Sequence, residues 1–151
     1  MERSMKVAGE LLILAREHHT ALSLANKCIN AAKSTDKTEI ESLCLEISQN
    51  FKMDYSEHFD TEETTIFTFL SAETAELSQL CDQLTLEHQQ LYKMAVELTT
   101  DSSLLEKFGQ LLKSHSQTED TEIFPKIELL SAVQRREILL SSAKHAAVIK
   151  A

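Results

Sequence analysis

Four histidines and two glutamates stand along this chain at spacings that could hold metal ions. The stretch His58-Phe-Asp-Thr-Glu62-Glu-Thr-Thr-Ile-Phe67 returns as His115-Ser-Gln-Thr-Glu119-Asp-Thr-Glu-Ile-Phe124, at an offset of 57 residues. Six of the ten positions are identical, which gives the frame H-x-x-T-E-x-T-x-I-F. A second pair precedes these: Glu17-His18 with Leu22 and Ala25 after it, and Glu87-His88 with Tyr92 and Ala95 after it. The chain therefore reads His, then His plus Glu, twice over. Imidazole and carboxylate are ligands of borderline first-row metals, and this set is enough for two ions. The pattern is that of a dinuclear site built by duplication.

Each of these residues has to be positioned by a helix. Only two Gly and one Pro occur in 151 residues, and 42% of residues are hydrophobic. That composition favours long helices over hairpins. The length suits one domain with a sizeable core. A first helix is predicted from near Ser4 to Ala32, with Leu11, Leu14, Ala15, His18, Leu22, Ala25 and Ile29 on one face. Asp36 and Glu39 form a capping-box pattern that starts a second helix, ending near Leu70. It presents Leu43, Ile47, Phe51, Tyr55, His58, Glu62 and Ile66. Ser71 or Thr74 caps a third helix carrying Leu77, Leu80, Cys81, Leu84, His88, Leu91, Tyr92 and Ala95. Ser103 and Glu106 cap a fourth, with Leu105, Phe108, Leu112, His115 and Glu119, ended by Pro125. Ser131 and Gln134 start a short fifth helix holding Ile138, Leu139, Leu140 and Val148. The expected architecture is all-α: an antiparallel up-down-up-down four-helix bundle over about 4–125, with a helical extension over about 131–151.

His18, His58, Glu62, His88, His115 and Glu119 all fall on the apolar stripes of their helices. His and Glu four residues apart lie one above the other on one face. A single His on such a face is most often a hydrogen-bonded core residue. Six polar residues phased to the core are different, because each buried carboxylate costs several kcal/mol unless compensated. The stripes hold no Lys or Arg to pair with them, and metal ions are the simplest compensation. His19 is rotated by about 100° from His18 and reads as a flanking residue. His145 reads as a surface residue. Glu63 and Asp120 are expected to face solvent or to bond a ligating His. Asp54 and Glu122 are weaker candidate ligands, and Tyr92 is either a core aromatic or a phenol at the metal pocket.

Other chemistries lack their residues. There is no H-E-x-x-H motif and no glycine-rich phosphate loop. Ferritin-like di-iron bundles use Glu-x-x-His, whereas here His comes first and the spacing is four. The formal charge of -9 argues against nucleic acid and anionic membrane as partners. No apolar run reaches membrane-spanning length, and the N-terminus lacks an export pattern, so a cytoplasmic protein is expected. Cys28, Cys44 and Cys81 are odd in number without C-x-x-C spacing and read as buried thiols.

With these residues assembled, the chain resembles the hemerythrin-like family, or HHE cation-binding domain, over about Leu11 to Pro125. The resemblance rests on a His in the first helix, His58-x-x-x-Glu62, His88, His115-x-x-x-Glu119, and the phrase Glu-Ile-Phe-Pro. It implies a four-helix bundle around a non-haem di-iron centre with an oxo or hydroxo bridge. Glu62 and Glu119 would bridge; His18 and His58 would hold one iron, and His88 and His115 the other. Other divalent metals could take the same ligands. Oxygen-carrying hemerythrins have a further His on the third helix, four residues from its partner. Here those positions are Leu84 and Tyr92, so one imidazole is missing or is replaced by a phenol. The implied function is binding or sensing of a small molecule such as dioxygen, peroxide or nitric oxide. The competing functions are a di-iron oxidoreductase that removes peroxide or nitric oxide, an iron-handling protein, and a helical interaction domain with a vestigial site. Acid is expected to displace metal and to weaken the bundle by leaving charged imidazoles in its core.

Overall fold

The computed structural model describes residues 9–150, with side chains through His145. The described residues form helices and no strands. After a 3-10 turn at Gly9–Leu11, helix α1 runs Leu12–Ala32 and α2 runs Lys37–Thr61. A π-helical turn at Glu62–Ile66 joins α2 to the short α3, Phe67–Ser71. Then come α4 (Ala75–Glu97) and α5 (Ser102–Thr118), a second π-helical turn at Glu119–Ile123, and a 3-10 segment at Phe124–Leu129. Helix α6 spans Ala132–Lys150. The expected start near Ser4 lies outside the described residues, and the side chain of Val148 outside the described side chains.

Local chemistry sets the helix starts. Asp36 accepts from the amides of Thr38 and Glu39, and Thr74 accepts from Leu77 N–H, which settles the Ser71 or Thr74 alternative. Helix α5 corrects the expectation of a Ser103–Glu106 box. Asp101 is its cap, taking the amides of Ser103 and Leu104, and Ser103 already lies in the first turn. Aspartate in the extended conformation competes well for that position. Ser131 and Gln134 form a full reciprocal box at the start of α6.

Helix α1 packs along α5, α2 along α4, and α4 beside α5. Close packing of α1 on α5 requires Gly109, where an added Cβ would meet Ala25 O at 2.9 Å and Cys28 Cβ at 2.9 Å. Two apolar clusters result. One centres on Phe51, Leu91, Phe108 and Leu112; the other on Leu14, Ile66, Leu84 and Ile123. Leu22 is only half-buried, and Ala21 takes the buried place on that face.

Helix α6 departs from expectation. At 19 residues it is not short. Its Leu139 and Leu140 are exposed, whereas Ile138, Ser142 and His145 are buried. It is fixed by polar contacts: Arg135 Nη2 to Glu10 at 3.0 Å, Ser141 Oγ with Thr61 Oγ1 at 2.8 Å, and His145 with Glu17 at 3.0 Å. The amphipathic stripe is weak because its docking face is mixed rather than apolar.

Candidate metal centre

All six expected residues meet in the middle of the bundle. His18 comes from α1, His58 from the last turn of α2, His88 from α4 and His115 from the last turn of α5. Glu62 and Glu119 are the first residues of the two π-helical turns. Both carboxylates are shut off from solvent, at 0% and 1% exposure. Among the described residues two groups of donors close enough for one ion appear: His18, His58, Glu62 and Glu119, and Glu62, His88, His115 and Glu119. The two glutamates belong to both.

Their oxygens divide between the groups. Glu62 Oε2 lies 3.1 Å from His18 Nε2 and 2.9 Å from His58 Nε2, while Oε1 lies 3.1 Å from His88 Nε2. Glu119 Oε1 lies 2.6 Å from His18 Nε2, and Oε2 lies 3.1 Å from His115 Nε2. Donors held about 2.0–2.2 Å from one ion stand roughly 3 Å apart. Several of these atoms make no hydrogen bond: Glu62 Oε1, His88 Nε2, His115 Nε2 and both Glu119 oxygens. They converge on common points without facing each other as donor and acceptor. Buried polar atoms left this way demand a partner, and a cation at each point supplies one.

A ring of carboxylates holds the imidazoles from outside. His18 Nδ1 donates to Asp120 at 2.8 Å and His58 Nδ1 to Glu17 at 2.7 Å. His88 Nδ1 donates to Glu63 at 2.7 Å and His115 Nδ1 to Glu87 at 2.8 Å. Carboxylates only accept, so each Nδ1 carries the proton and each Nε2 is turned to the centre. This is the outer-shell arrangement that orients metal-bound histidines. Each carboxylate comes from a neighbouring element: from α1 to α2, from the π-helical turn after α2 to α4, from α4 to α5, and from the π-helical turn after α5 back to α1. Glu63 and Asp120 thus take the second of their expected roles. Glu17 and Glu87, visible in the sequence only as repeated neighbours of His18 and His88, serve the histidines of other helices.

The π-helical turns explain the rest of the repeated frame. In a wider turn, residue i+5 returns beneath residue i. Phe67 N–H bonds Glu62 O, and Phe124 N–H bonds Glu119 O. Both Phe rings therefore stay on the site face. Phe67 stacks on His88 at 5.8 Å, and Phe124 on His18 at 4.8 Å. The second threonine of each frame donates four residues back: Thr64 to Asp60 O at 2.8 Å and Thr121 to Gln117 O at 3.0 Å, supporting backbone carbonyls where the pitch changes.

The electrostatics follow from burial opposed by carboxylates. Burial alone would depress each imidazole. Around His18 the opposing groups are Glu119, Asp120 and Glu62, and they hold it well above its ordinary value. For His88 the same contest, with Glu119, Glu62 and Glu63, ends at about 11. For His115, with Glu119 and Glu87, it ends at about 9. His58 is also raised, chiefly by Glu62 and Glu17 against burial. Burial and Glu62 raise Glu119, but His115 and His18 outweigh them and bring it to about 2. Each imidazole lies beside carboxylates, with Glu62 and Glu119 inside and Asp120, Glu17, Glu63 and Glu87 outside.

The weaker candidates sort themselves by exposure. His19, Asp54 and Glu122 are exposed and outside both donor groups. His145 corrects its assignment to the surface: it is buried at 4% exposure and bonds Glu17. Tyr92 packs against Phe51 and Phe59, with Lys52 over its ring, and Phe59 is the ring that stacks on His88 at 3.8 Å. Burial raises the Tyr92 phenol to about 12. Cys28, Cys44 and Cys81 are buried free thiols apart from both donor groups.

No curated protein and no solved structure matched the chain. A family profile described as the hemerythrin HHE cation binding domain does match, over residues 11–127. That span contains all six central donors and the four carboxylates that hold the histidines, and the chain belongs to the hemerythrin HHE cation-binding domain family.

Proposed function

We propose that this protein is a non-haem di-iron protein that binds small molecules such as dioxygen, peroxide or nitric oxide at the centre of its bundle. The observation that carries the proposal is the division of Glu62 and Glu119, each with one oxygen towards each half of the site. In this reading His18 and His58 would hold one ion and His88 and His115 the other, with Glu62 and Glu119 shared between the two. An up-down-up-down order of α1, α2, α4 and α5 suits the closed ring of carboxylates. Iron suits a donor set of imidazole and carboxylate without thiolate, and zinc or manganese shares those preferences.

When bound, iron supplies redox chemistry and open positions for a small ligand. The chain supplies the rest. Asp120, Glu17, Glu63 and Glu87 hold each ring by Nδ1 and keep Nε2 inward. Phe67, Phe124 and Phe59 cover the imidazole faces and exclude water. Two imidazoles and two shared carboxylates per ion leave positions open. Leu84, where oxygen-carrying relatives could place a further His, is buried and brings no donor. That vacancy suits binding of an outside ligand over storage of a saturated metal. An acidic surface and three buried free thiols fit a cytoplasmic protein without nucleic-acid or membrane partners.

The test is anaerobic loading of metal-free protein with ferrous iron, followed by dioxygen, peroxide or nitric oxide in turn. Two ions bound per chain and an optical spectrum that changes stoichiometrically with one of these ligands are expected. Sustained consumption of peroxide or nitric oxide with a reductant would make it an oxidoreductase. Binding of one ion, or of none, would overturn the di-iron reading.

A further inference from the structure

The duplicated centre is not symmetric at its edge. Glu17 and Glu87 are repeat counterparts with the same task, accepting from His58 and His115. Glu87 has one additional partner, the amide of Gln83 on its own helix, 3.2 Å away and exposed. Glu17 is held by a buried histidine from another helix, His145 Nε2 at 3.0 Å. Beside it, Ser141 of the same α6 pairs with Thr61, the residue before Glu62. Helix α6 begins at Ala132, beyond the residues 11–127 that the family profile matches. The clamp on Glu17 thus comes from outside the family's core.

We propose that His145 is a positioning residue that makes the His18/His58 half of the centre hold its metal more tightly than the His88/His115 half. The inference rests on the two-metal reading above. The reasoning is geometric. A carboxylate orients a metal-bound histidine only while it stays in place itself. Glu17 and Glu87 are both partly exposed, at 22% and 16%, so water competes for each and a second partner decides how firmly each is held. The Nε2 of His145 lies 3.0 Å from both Glu17 oxygens, including the Oε1 that accepts from His58 Nδ1, and so fixes the carboxylate against that ring. Gln83 ties Glu87 less firmly, because a surface contact between side chains on one helix is weak. The series His145–Glu17–His58 therefore reaches from α6 to one ion only.

The experiment is a stepwise ferrous titration of the metal-free full chain against a competing chelator, in the absence of oxygen. The unaltered protein is expected to bind two ions in separable steps. His58→Ala should remove the tighter step and His115→Ala the weaker one, which assigns them. His145→Leu keeps the bulk and removes the donor; it should weaken the tighter step about 10–100-fold and leave the weaker one unchanged. His145→Gln, which can still donate, should restore most of the difference. Ser141→Ala loosens α6 without touching Glu17 and should change neither step. Weakening of both steps by His145→Leu, of neither, or of the same step by Ser141→Ala would overturn the proposal. If His145→Leu fails to fold, His145→Phe, which keeps a planar ring without a donor, takes its place: weakening of the tighter step alone supports the clamp, and an unchanged tighter step rejects it. Failure of the unaltered protein to bind two ions would instead reject the two-metal reading.

Discussion

Asp120 Oδ1 lies 2.8 Å from His18 Nδ1, across 102 residues of sequence. Glu63 stands in the same relation to His88, and both carboxylates immediately follow a central glutamate. A residue about 100° round the helix from the core face points sideways, towards the neighbouring helix. This relation makes each glutamate pair do two jobs, with one carboxylate inward and one on a neighbour's imidazole. The first prediction follows. Glu63→Ala or Asp120→Ala should weaken metal retention about 10–100-fold while leaving helical content intact. Chelator competition with circular dichroism on the same samples checks it. A collapse of the fold before any metal is lost would contradict it.

Removal of a central imidazole should act more broadly. His58→Ala and His115→Ala each leave a buried carboxylate uncompensated, with a cost of about 3–5 kcal/mol. Metal content and melting temperature should fall together. Exposed His19→Ala is the control and should change neither.

The metal-free protein should respond to pH in a definite direction. His115 and His88 have folded-state values raised to about 9 and about 11, by carboxylates that outweigh burial. A raised value contributes stability that is complete below about 6.5 and is lost as pH climbs through the folded values. Glu119, lowered to about 2, contributes above about 4.5 and loses that contribution only as pH falls towards 2. Metal-free stability should therefore peak near pH 5–6 and decline on the alkaline side. Metal retention should run the other way, improving as protons compete less. Melting curves with and without chelator across pH 5 to 10 should thus diverge as pH rises. Parallel curves would show that the histidines are not ligands.

Metal uptake near neutral pH should expel protons from His18, His58, His88 and His115, since all four are raised in the metal-free state. Calorimetric titration in buffers of different ionisation enthalpy measures that release directly. Uptake without proton release would contradict the assignment.

Gly109→Ala should destabilise, although alanine is ordinarily the better helix former by about 1 kcal/mol. The new methyl would meet Ala25 O and Cys28 Cβ at 2.9 Å, one of them backbone, so α1 and α5 must part. A loss of about 1–3 kcal/mol is expected. Thermal melts of the metal-free protein isolate this from any effect on metal.

Much of the centre was legible because duplication wrote it twice. The frame H-x-x-T-E-x-T-x-I-F marked His58, Glu62, His115 and Glu119, and helical phasing brought His18 and His88 beside them. What resisted reading were relations between helices. Glu17 and Glu87 sit next to histidines they do not hold, and only packing shows that each reaches across to another. The π-helical turns were hidden because His-to-Glu spacing of four fits an α-helix; the Phe at the end of the frame was the available signal. The burial of His145 is not legible in the sequence because α6 docks through Arg135, Ser141 and the imidazole itself, so no apolar stripe announces that face. Asp101 was passed over for Ser103, a two-residue shift typical of helix ends.

The circuit of carboxylates has a consequence for how the chain could be divided. Two of its links lie within a half, Glu17 to His58 and Glu87 to His115, and two cross between halves, Glu63 to His88 and Asp120 to His18. A polypeptide cut between Ser71 and Thr74 would leave each piece with a helical pair whose outward carboxylate has no imidazole to meet. Either piece could close the same circuit only by finding a complement, the other piece or a second copy of itself. The single chain thus supplies, by its own second half, the partner that each helical pair would otherwise have to find.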